Sequence, residues 1–311
     1  MRPGIDFDGG RHPRAKIGFV VLAMEQTVEE DMVRLAPPGV GVHFSRAPMA
    51  NQVTAANLAA MVDGLAGAAS LILPDGGLDV VCYACTSGSV VMGEDVVRAE
   101  LSRGCPCAIP TTLVSGVFAA LDALDVKKVV VAAPYLDEVN RIEADYMADL
   151  GYEVLDICGL GITDDADMAR VAPGYIRDFA ISVDRPDADA IFVSCGALRT
   201  VEVIDEIEVA TGKPCVASNQ AMLWHCLRLA GIDDRLEGQG SLRKMKQICF
   251  RSETLYDRIP MGKGRHYYFT DPEGSAMIVQ GDRKEFTLNS DIPDDTDLDA
   301  WIRKKMGPDI E

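Results

Sequence analysis

Two similar stretches decide the fold of this chain: VVCYACTS at residues 80–87 and AIFVSCGA at residues 190–197. Each is an apolar, strand-like run that ends at a cysteine followed by small residues. The two cysteines, Cys85 and Cys195, lie 110 positions apart. Each stretch therefore predicts a buried strand whose end presents a thiol.

A second pair of strand-like runs repeats this spacing. IGFVVL at residues 17–22 and VVVAAP at residues 129–134 lie 112 positions apart, and both follow a basic residue. Because the two offsets agree closely, the sequence indicates an internal duplication. Symmetry would then place Cys85 and Cys195 at equivalent strand ends, facing one cleft from opposite sides. Such a pair suits moving a proton, or adding a thiolate, across the two faces of a small substrate.

Short apolar runs alternate with longer amphipathic ones along the chain, which is typical of βαβ units with a parallel sheet. Strands are predicted near residues 16–22, 40–45, 80–84, 107–110, 128–133, 153–158, 190–194 and 215–217. Helices are predicted near residues 27–35, 55–68, 89–103, 113–124, 136–150, 173–183, 201–211 and 220–230. The predicted fold class is α/β, with two similar doubly wound parallel-sheet domains related by pseudo-twofold symmetry and a C-terminal extension.

The predicted domain boundaries follow from this pattern. The first α/β domain comprises residues 15–115 together with 215–240, and the second comprises residues 116–214. The βα alternation disappears from about Arg251 onward. Residues 251–311 are therefore predicted to be an accessory C-terminal tail, either a lid or oligomer arm or a surface extension.

Composition excludes several function classes. The formal net charge of −18 argues against nucleic acid and against an anionic membrane surface as partners. The first 14 residues lack the apolar core of a signal peptide, and no apolar run reaches the length of a membrane span. The nine cysteines are an odd number, and several lie in apolar segments. We therefore expect a cytoplasmic protein without a disulfide framework.

Cys85 is the strongest candidate for chemistry. It ends a strand and precedes Thr86 and Ser87, which lie just before a predicted helix. Ligands of open α/β sheets bind beyond the carboxyl ends of strands, and helix N–H groups there favour anions. The sequence thus predicts a thiol with a lowered pKa at Cys85 or Cys195. The alternative is that each cysteine is a small apolar core residue.

Other residues at strand ends are candidates for substrate binding. Gly196 would let backbone amides approach a ligand closely, and Tyr135 follows the strand at residues 128–133. In the loop after the first strand, Glu25 lies close to Thr27, for which helix capping is the preferred interpretation. Ser218, after the last predicted strand, could also reach the cleft.

Signatures of cofactor sites are missing from the sequence. No GxGxxG motif, Walker A run or GxSxG elbow is present. The CxxC pair at residues 82 and 85 would point to opposite faces of a strand, and the four histidines show no ligand spacing. We therefore expect neither a nucleotide cofactor nor a metal.

Several stretches together resemble the Asp/Glu racemase superfamily, in its maleate cis-trans isomerase and arylmalonate decarboxylase branch. Within that branch the chain looks most similar to maleate-isomerase-like proteins encoded with ectoine-utilisation pathways. The stretches that carry the resemblance are ACTS at 84–87, PYLDEVN at 134–140, LGIT at 160–163, MARV at 168–171, SCGALRT at 194–200 and SNQA at 218–221.

The resemblance implies a cofactor-free site between two α/β domains, with Cys85 and Cys195 as the catalytic pair. In maleate isomerases the first thiolate adds to the alkene, and in the racemases one cysteine removes the α-proton while the other returns one. Arylmalonate decarboxylases typically have glycine at the first position, so Cys85 favours an isomerase or racemase. The implied substrate-binding residues are Thr86, Ser87, Tyr135, Gly196, Ala197, Glu25 and Asn140.

One departure from the family concerns the loop after the first strand. Glu25 stands where maleate isomerases carry an asparagine that holds a substrate carboxylate. A carboxylate there would repel a dicarboxylate at short range. A substrate with one carboxylate and a cationic or neutral other end fits this loop better.

The sequence therefore predicts a cofactor-independent, two-cysteine isomerase or racemase of a small carboxylic acid, possibly in ectoine catabolism. The alternatives are an arylmalonate-type decarboxylase and a non-catalytic small-carboxylate binding protein. We expect a homo-oligomer, a dimer or a tetramer.

Overall fold

The computed structural model describes residues 5–50, 52–74, 76–236 and 238–244. The predicted tail at residues 251–311 lies outside this range. The first four strands are β1 (Ala15–Leu22), β2 (Val40–Ala47), β3 (Val80–Tyr83) and β4 (Ile109–Thr112). The next four are β5 (Lys128–Ala133), β6 (Glu153–Gly159), β7 (Ala190–Val193) and β8 (Cys215–Ala217). All eight predicted strands are thus present.

The strands form two four-stranded parallel sheets with the orders β2-β1-β3-β4 and β6-β5-β7-β8. The predicted α/β class with two parallel sheets is confirmed. Strands β3 and β7 hold the same place in the two orders, and every residue of both strands is buried. Their apolar character on both faces is what strands covered on both sides require. The two predicted thiols therefore follow equivalent strands.

Helices connect the strands. Those of the first half are α1 (Val28–Leu35), α2 (Ala55–Ala59), α3 (Val62–Ser70), α4 (Thr86–Met92), α5 (Glu94–Gly104) and α6 (Leu113–Ala123). Those of the second half are α7 (Asp137–Asp149), α8 (Asp165–Met168), α9 (Pro173–Ser182), α10 (Ile204–Thr211) and α11 (Ser218–Leu229). None of the described helices has the length and apolar character that a membrane span requires.

Two predicted helices are interrupted. The helix predicted at 89–103 is divided into α4 and α5 at Gly93, whose φ of 85° lies in the left-handed region that glycine tolerates. It also begins earlier than predicted, at Thr86. The helix predicted at 55–68 is divided into α2 and α3.

The predicted domain boundary at residue 215 is wrong for strand β8. That strand was assigned to the first domain, but it pairs with β7 in the second sheet. Helix α11, which follows β8 directly, packs along α6 of the first half. The chain therefore returns to the first half only after β8 ends. Both sheets belong to one structural unit that spans Met1–Met245.

Candidate active site

A small cavity lies at the carboxyl ends of β3 and β7. Its free volume is about 10 Å³, which is room for about one water molecule. Its twelve lining residues are Leu22, Glu25, Val53, Ala84, Cys85, Thr86, Ser87, Tyr135, Asp165, Cys195, Gly196 and Ala197. The structure thus brings together eight of the nine predicted site residues, all except Asn140.

Cys85 occupies the N-cap position of helix α4, directly after strand β3 and Ala84. Its backbone is extended, with φ −143°, and the N–H of Gly88 donates to its Sγ over 3.3 Å. The hydroxyl of Ser87 lies 3.7 Å from the same sulfur. A side chain at residue 88 would collide with Tyr83, since a Cβ there would overlap the phenol oxygen. Glycine at 88 therefore permits the close approach of helix α4 to the thiol.

Cys195 follows β7 in a different backbone conformation. Its φ is 99°, a region that residues with a side chain rarely adopt and that costs about 1–3 kcal/mol. The N–H of Ala197 donates to its Sγ over 3.3 Å, and the sulfur of Met168 lies 3.9 Å away. The strained backbone directs this thiol into the cavity, and the surrounding contacts hold it there.

Both thiols are more weakly acidic than the sequence predicted. Burial raises the pKa of Cys85 to about 11, although the N–H of Gly88 and the hydroxyl of Ser87 lower it. Burial and the charge of Asp165 raise the pKa of Cys195 further. The prediction of a lowered thiol pKa is wrong for the free protein, because desolvation outweighs the helix N–H groups. Both cysteines are therefore thiols at neutral pH.

Ser218, the first residue of α11, links the two halves at the cavity. Its Oγ accepts the backbone N–H of Cys195 over 3.0 Å and lies 3.0 Å from Oγ1 of Thr86. A second link is the hydroxyl of Thr27, which donates to the carbonyl of Ala197 over 2.8 Å. These bonds fix the two strand ends relative to one another.

Tyr135 lines the cavity together with Cys195, and its phenol partly offsets the rise in the pKa of that thiol. Asn140 is buried behind Tyr135 and is not among the lining residues. Its Nδ2 donates to the carbonyl of Tyr135 over 3.4 Å. In this structure Asn140 contacts the backbone that carries Tyr135, and its predicted contact with substrate stays a prediction.

Glu25 lines the cavity and also caps helix α1. Its carboxylate accepts the N–H groups of Thr27, over 2.8 and 2.9 Å, and of Val28, over 2.9 Å. The capping role predicted for Thr27 is thus wrong in detail: its hydroxyl makes no capping bond, and Glu25 supplies the acceptor instead. Burial raises the pKa of Glu25 to about 7 despite these N–H groups.

Sequence reasoning missed four cavity residues, of which Asp165 is the only charged one; the others are Leu22, Val53 and Ala84. Asp165 is the first residue of the short helix α8 and is 3% exposed, and burial raises its pKa to about 6. Its Oδ2 is buried and has no hydrogen-bond partner among the described residues. The sequence offered one indication of Asp165, which lies two residues after the LGIT stretch. It belongs there to a run of acidic residues that is equally typical of the first turn of a helix.

A buried carboxyl lies behind the Cys195 strand end. Oε1 of Glu143 accepts the hydroxyl of Ser194 over 2.7 Å, and burial raises the pKa of Glu143 to about 7. This group does not line the cavity. It supports the backbone next to Cys195 through Ser194.

The sequence and fold are similar to those of known enzymes. A family model described as arylmalonate decarboxylase matches residues 17–243. The arylmalonate decarboxylase of Bordetella bronchiseptica is 36% identical over 137 residues, which is 43% of this chain and 56% of that protein. A maleate isomerase of Pseudomonas putida is 25% identical over 242 residues, 73% of this chain and 96% of that protein.

A solved structure shows the same similarity. It is a cysteine-to-alanine variant of the maleate isomerase Iso from Pseudomonas putida with maleate. The two chains superpose with a TM-score of 0.69 at 26% identity, over 74% of this chain and 98% of that chain.

Proposed function

This chain belongs to the arylmalonate decarboxylase family, and from that premise we propose that it is a cofactor-independent isomerase or racemase of a small carboxylic acid. Its relatives are maleate isomerases and arylmalonate decarboxylases. The observation that carries the proposal is that two thiols, Cys85 and Cys195, line one cavity from the ends of two different sheets. A decarboxylase needs one proton donor, whereas a racemase needs an acid and a base on opposite sides.

In the racemase form, a thiolate of Cys85 takes the α-proton while the thiol of Cys195 gives its proton to the opposite face of the same carbon. The cycle ends with a thiol at Cys85 and a thiolate at Cys195, and the reverse turnover resets the pair. The cis-trans form uses the same groups differently. The Cys85 thiolate forms a C–S bond to one alkene carbon, and the electron pair of the double bond moves into the adjoining carboxylate as an enolate. The resulting single bond between the two former alkene carbons rotates. The electron pair then restores the double bond as the C–S bond breaks and releases the thiolate.

The surroundings of the thiols support this assignment of roles. Cys85 has the lower thiol pKa of the two and is therefore the first to lose its proton. The intermediate would carry negative charge on the substrate carboxylate as it becomes enolate-like. Hydroxyl groups of Thr86 and Ser87 and backbone amides near Gly196 line the same cavity and are suited to stabilise that charge.

Two alternatives predict different dependence on the thiols. An arylmalonate-type decarboxylase needs Cys195 as proton donor and is indifferent to Cys85; similarity to the Bordetella enzyme favours this candidate. A non-catalytic binding protein would retain ligand after loss of either thiol.

The biological setting is also a proposal. Resemblance to proteins of ectoine-utilisation pathways supports a role in ectoine catabolism. We further propose that the protein works in the cytoplasm as a homo-oligomer. The buried thiols would remain reduced in that compartment.

The test is proton NMR of the full chain in deuterium oxide with maleate, chiral α-amino acids, ectoine-derived acids and arylmalonates. Racemisation would place deuterium at an α-position with loss of chirality, and cis-trans isomerisation would convert maleate to fumarate. Release of carbon dioxide from an arylmalonate without these changes would instead establish the decarboxylase. Ligand binding without any reaction across the panel would favour the binding protein.

A further inference from the structure

The cavity is lined by two carboxyl groups, Glu25 and Asp165, as well as two thiols. The charge of Asp165 raises the pKa of Glu25 and of both cysteines, so these groups repel one another when ionised. Among the described residues that line the cavity, none carries a positive charge. Binding a dicarboxylate here would add two more negative charges to a poorly solvated space.

The carboxyl group of Asp165 has an oxygen, Oδ2, that lacks a hydrogen-bond partner among the described residues. The side chain itself is buried. Buried polar atoms are nearly always hydrogen-bonded, because an unpaired one loses its hydration without compensation. A carboxylate oxygen can only accept, so the missing partner must be a hydrogen-bond donor.

Glu25 presents a second acceptor to the same cavity. Its two oxygens accept N–H groups from the start of helix α1, which fixes the carboxylate in place. Each carboxylate oxygen has more than one lone pair, so capping leaves room for a further donor. The cavity therefore has acceptors at Glu25 and Asp165, and hydroxyl and amide donors at Thr86, Ser87 and Gly196.

We propose that the substrate carries a cationic nitrogen in addition to its carboxylate, as amino acids do, and that Asp165, together with Glu25, binds that nitrogen. The inference rests on the proposed function in one respect, because it assigns a substrate class to the same site. The substrate carboxylate is held by the donors near Thr86, Ser87 and Gly196. Asp165 is in this scheme a specificity-determining residue.

A bound cation would also help the chemistry. Burial and neighbouring negative charge keep both thiols protonated in the free protein. A positive charge nearby stabilises a thiolate and so lowers the thiol pKa. The substrate would in this way promote ionisation of the cysteine that acts on it, and an empty cavity would hold an unreactive thiol.

The experiment uses three probes that differ in one substituent on the same carbon. Alanine carries an ammonium group, isobutyrate a methyl group and methylmalonate a second carboxylate. Binding of each to the full chain is measured by isothermal titration calorimetry at neutral pH. We expect affinity to fall in the order alanine, isobutyrate, methylmalonate.

Two variants test the assignment to Asp165. In Asp165→Asn the side chain keeps its shape and loses its charge, and we expect alanine to bind about ten- to a hundredfold more weakly while isobutyrate changes little. The matched control is Asp167→Asn, on the same helix but exposed and paired with Arg170. This control should bind all three probes as the unchanged chain does.

The outcomes separate this inference from the proposed function. Methylmalonate binding as well as alanine, no measurable binding of alanine, or an Asp165→Asn variant with unchanged preference would each overturn the cationic substrate. Turnover of a dicarboxylate alone would overturn it too and leave the isomerase intact. Preferential binding of alanine that Asp165→Asn abolishes, without deuterium exchange at any α-carbon, would uphold the inference and contradict the proposed function.

Discussion

The Cys85 and Cys195 strand ends occupy equivalent places in two similar sheets, yet they hold their thiols by different means. Cys85 has an extended backbone and is the N-cap of a helix that starts at the next residue. Cys195 has a strained backbone with φ 99° and is followed by a loop. Local sequence is sufficient to position the first thiol, whereas the second depends on groups from elsewhere in the chain.

The support of Cys195 shows this dependence. The hydroxyl oxygen of Ser218 accepts its N–H, and the sulfur of Met168 lies 3.9 Å from its thiol. Its neighbour Ser194 donates a hydrogen bond to Glu143. The corresponding contacts of the Cys85 thiol come from Ser87 and Gly88 in its own helix. Equivalent strand positions can therefore hold unequal thiols, and the inequality is suited to a base and an acid that act on opposite faces of one carbon.

The largest effects are expected from removing either thiol. We expect Cys85→Ser and Cys195→Ser each to lower kcat by about 10³-fold or more, because a serine hydroxyl is a far poorer nucleophile and base. Thermal unfolding should show that both variants keep the fold. Cys107→Ser, at an exposed thiol, is the control and should keep full activity. Full activity in either cavity variant would contradict the two-thiol mechanism, and activity lost only with Cys195 would indicate a decarboxylase.

We expect a smaller loss of activity when the hydrogen bonds of Ser218, which link the two strand ends, are removed. Ser218→Ala leaves the buried N–H of Cys195 unpaired, which should cost about 1–3 kcal/mol of unfolding free energy. Misplacement of the Cys195 thiol should lower kcat by about 10–100-fold. Steady-state kinetics and urea unfolding measure the two effects. Ser182→Ala, at an exposed helical serine, should change neither; an unchanged kcat in Ser218→Ala would show that the link is dispensable.

We expect the buried carboxyl group of Glu143, behind Cys195, to make the unfolding free energy depend on pH. The pKa of Glu143 is about 7 in the folded chain, against about 4.3 for an exposed glutamate. Between these values the folded chain keeps a proton that the unfolded chain has released. The resulting stabilisation is complete below about pH 4 and is lost as the pH rises through about 7.

Glu143→Gln removes this titration. Between about pH 5 and about pH 8, the unfolding free energy of the variant should fall by about 2 kcal/mol less than that of the unchanged chain. Urea unfolding at the two pH values measures the difference. Glu138→Gln changes an exposed glutamate of the same helix and should show the same fall as the unchanged chain. Equal falls in all three proteins would mean that Glu143 is ionised in the fold.

The smallest expected effect is a difference in stability between glycine and alanine variants, which compares the backbones at residues 85 and 195 directly. At residue 195, where φ is 99°, Cys195→Gly should be more stable than Cys195→Ala by about 1 kcal/mol, because glycine relieves the strain. At residue 85, where φ is −143°, there is no strain for glycine to relieve, so only the weaker N-cap preference for glycine should separate the two variants. Thermal unfolding of the four variants gives both differences. An advantage of glycine that is as large at residue 85 as at residue 195 would remove the backbone distinction between the strand ends.

The sequence was a good guide wherever local pattern decides structure. Continuous β-branched runs such as residues 129–131 predicted buried parallel strands, and the breaks after β3 and β7 predicted where a ligand would lie. The cavity residues found in advance, Tyr135 among them, follow strands directly. The carboxyl ends of parallel strands converge at one edge of a sheet, so a linear pattern is enough to place them together.

What could not be predicted depends on distant contacts and on burial. Asp165 comes from a four-residue helix in a segment without apolar periodicity, so nothing local distinguishes it from the acids beside it. The thiol pKa values are set by desolvation, which only the folded chain determines. The assignment of β8 to the wrong half has the same origin, because strand pairing is a long-range property.

The backbone conformations at residues 85 and 195 differ, but thermodynamics limits how this difference can affect catalysis. The two enantiomers of a substrate with one stereocentre have the same free energy, so a racemase must have equal kcat/KM values in the two directions. The value of kcat/KM therefore cannot favour one enantiomer, even though the two thiols are held differently. The asymmetry can appear only in kcat and KM separately, because the complexes of the two enantiomers with unequal thiols can differ in stability. A substrate with a second, fixed stereocentre would remove this restriction, since its epimers differ in free energy.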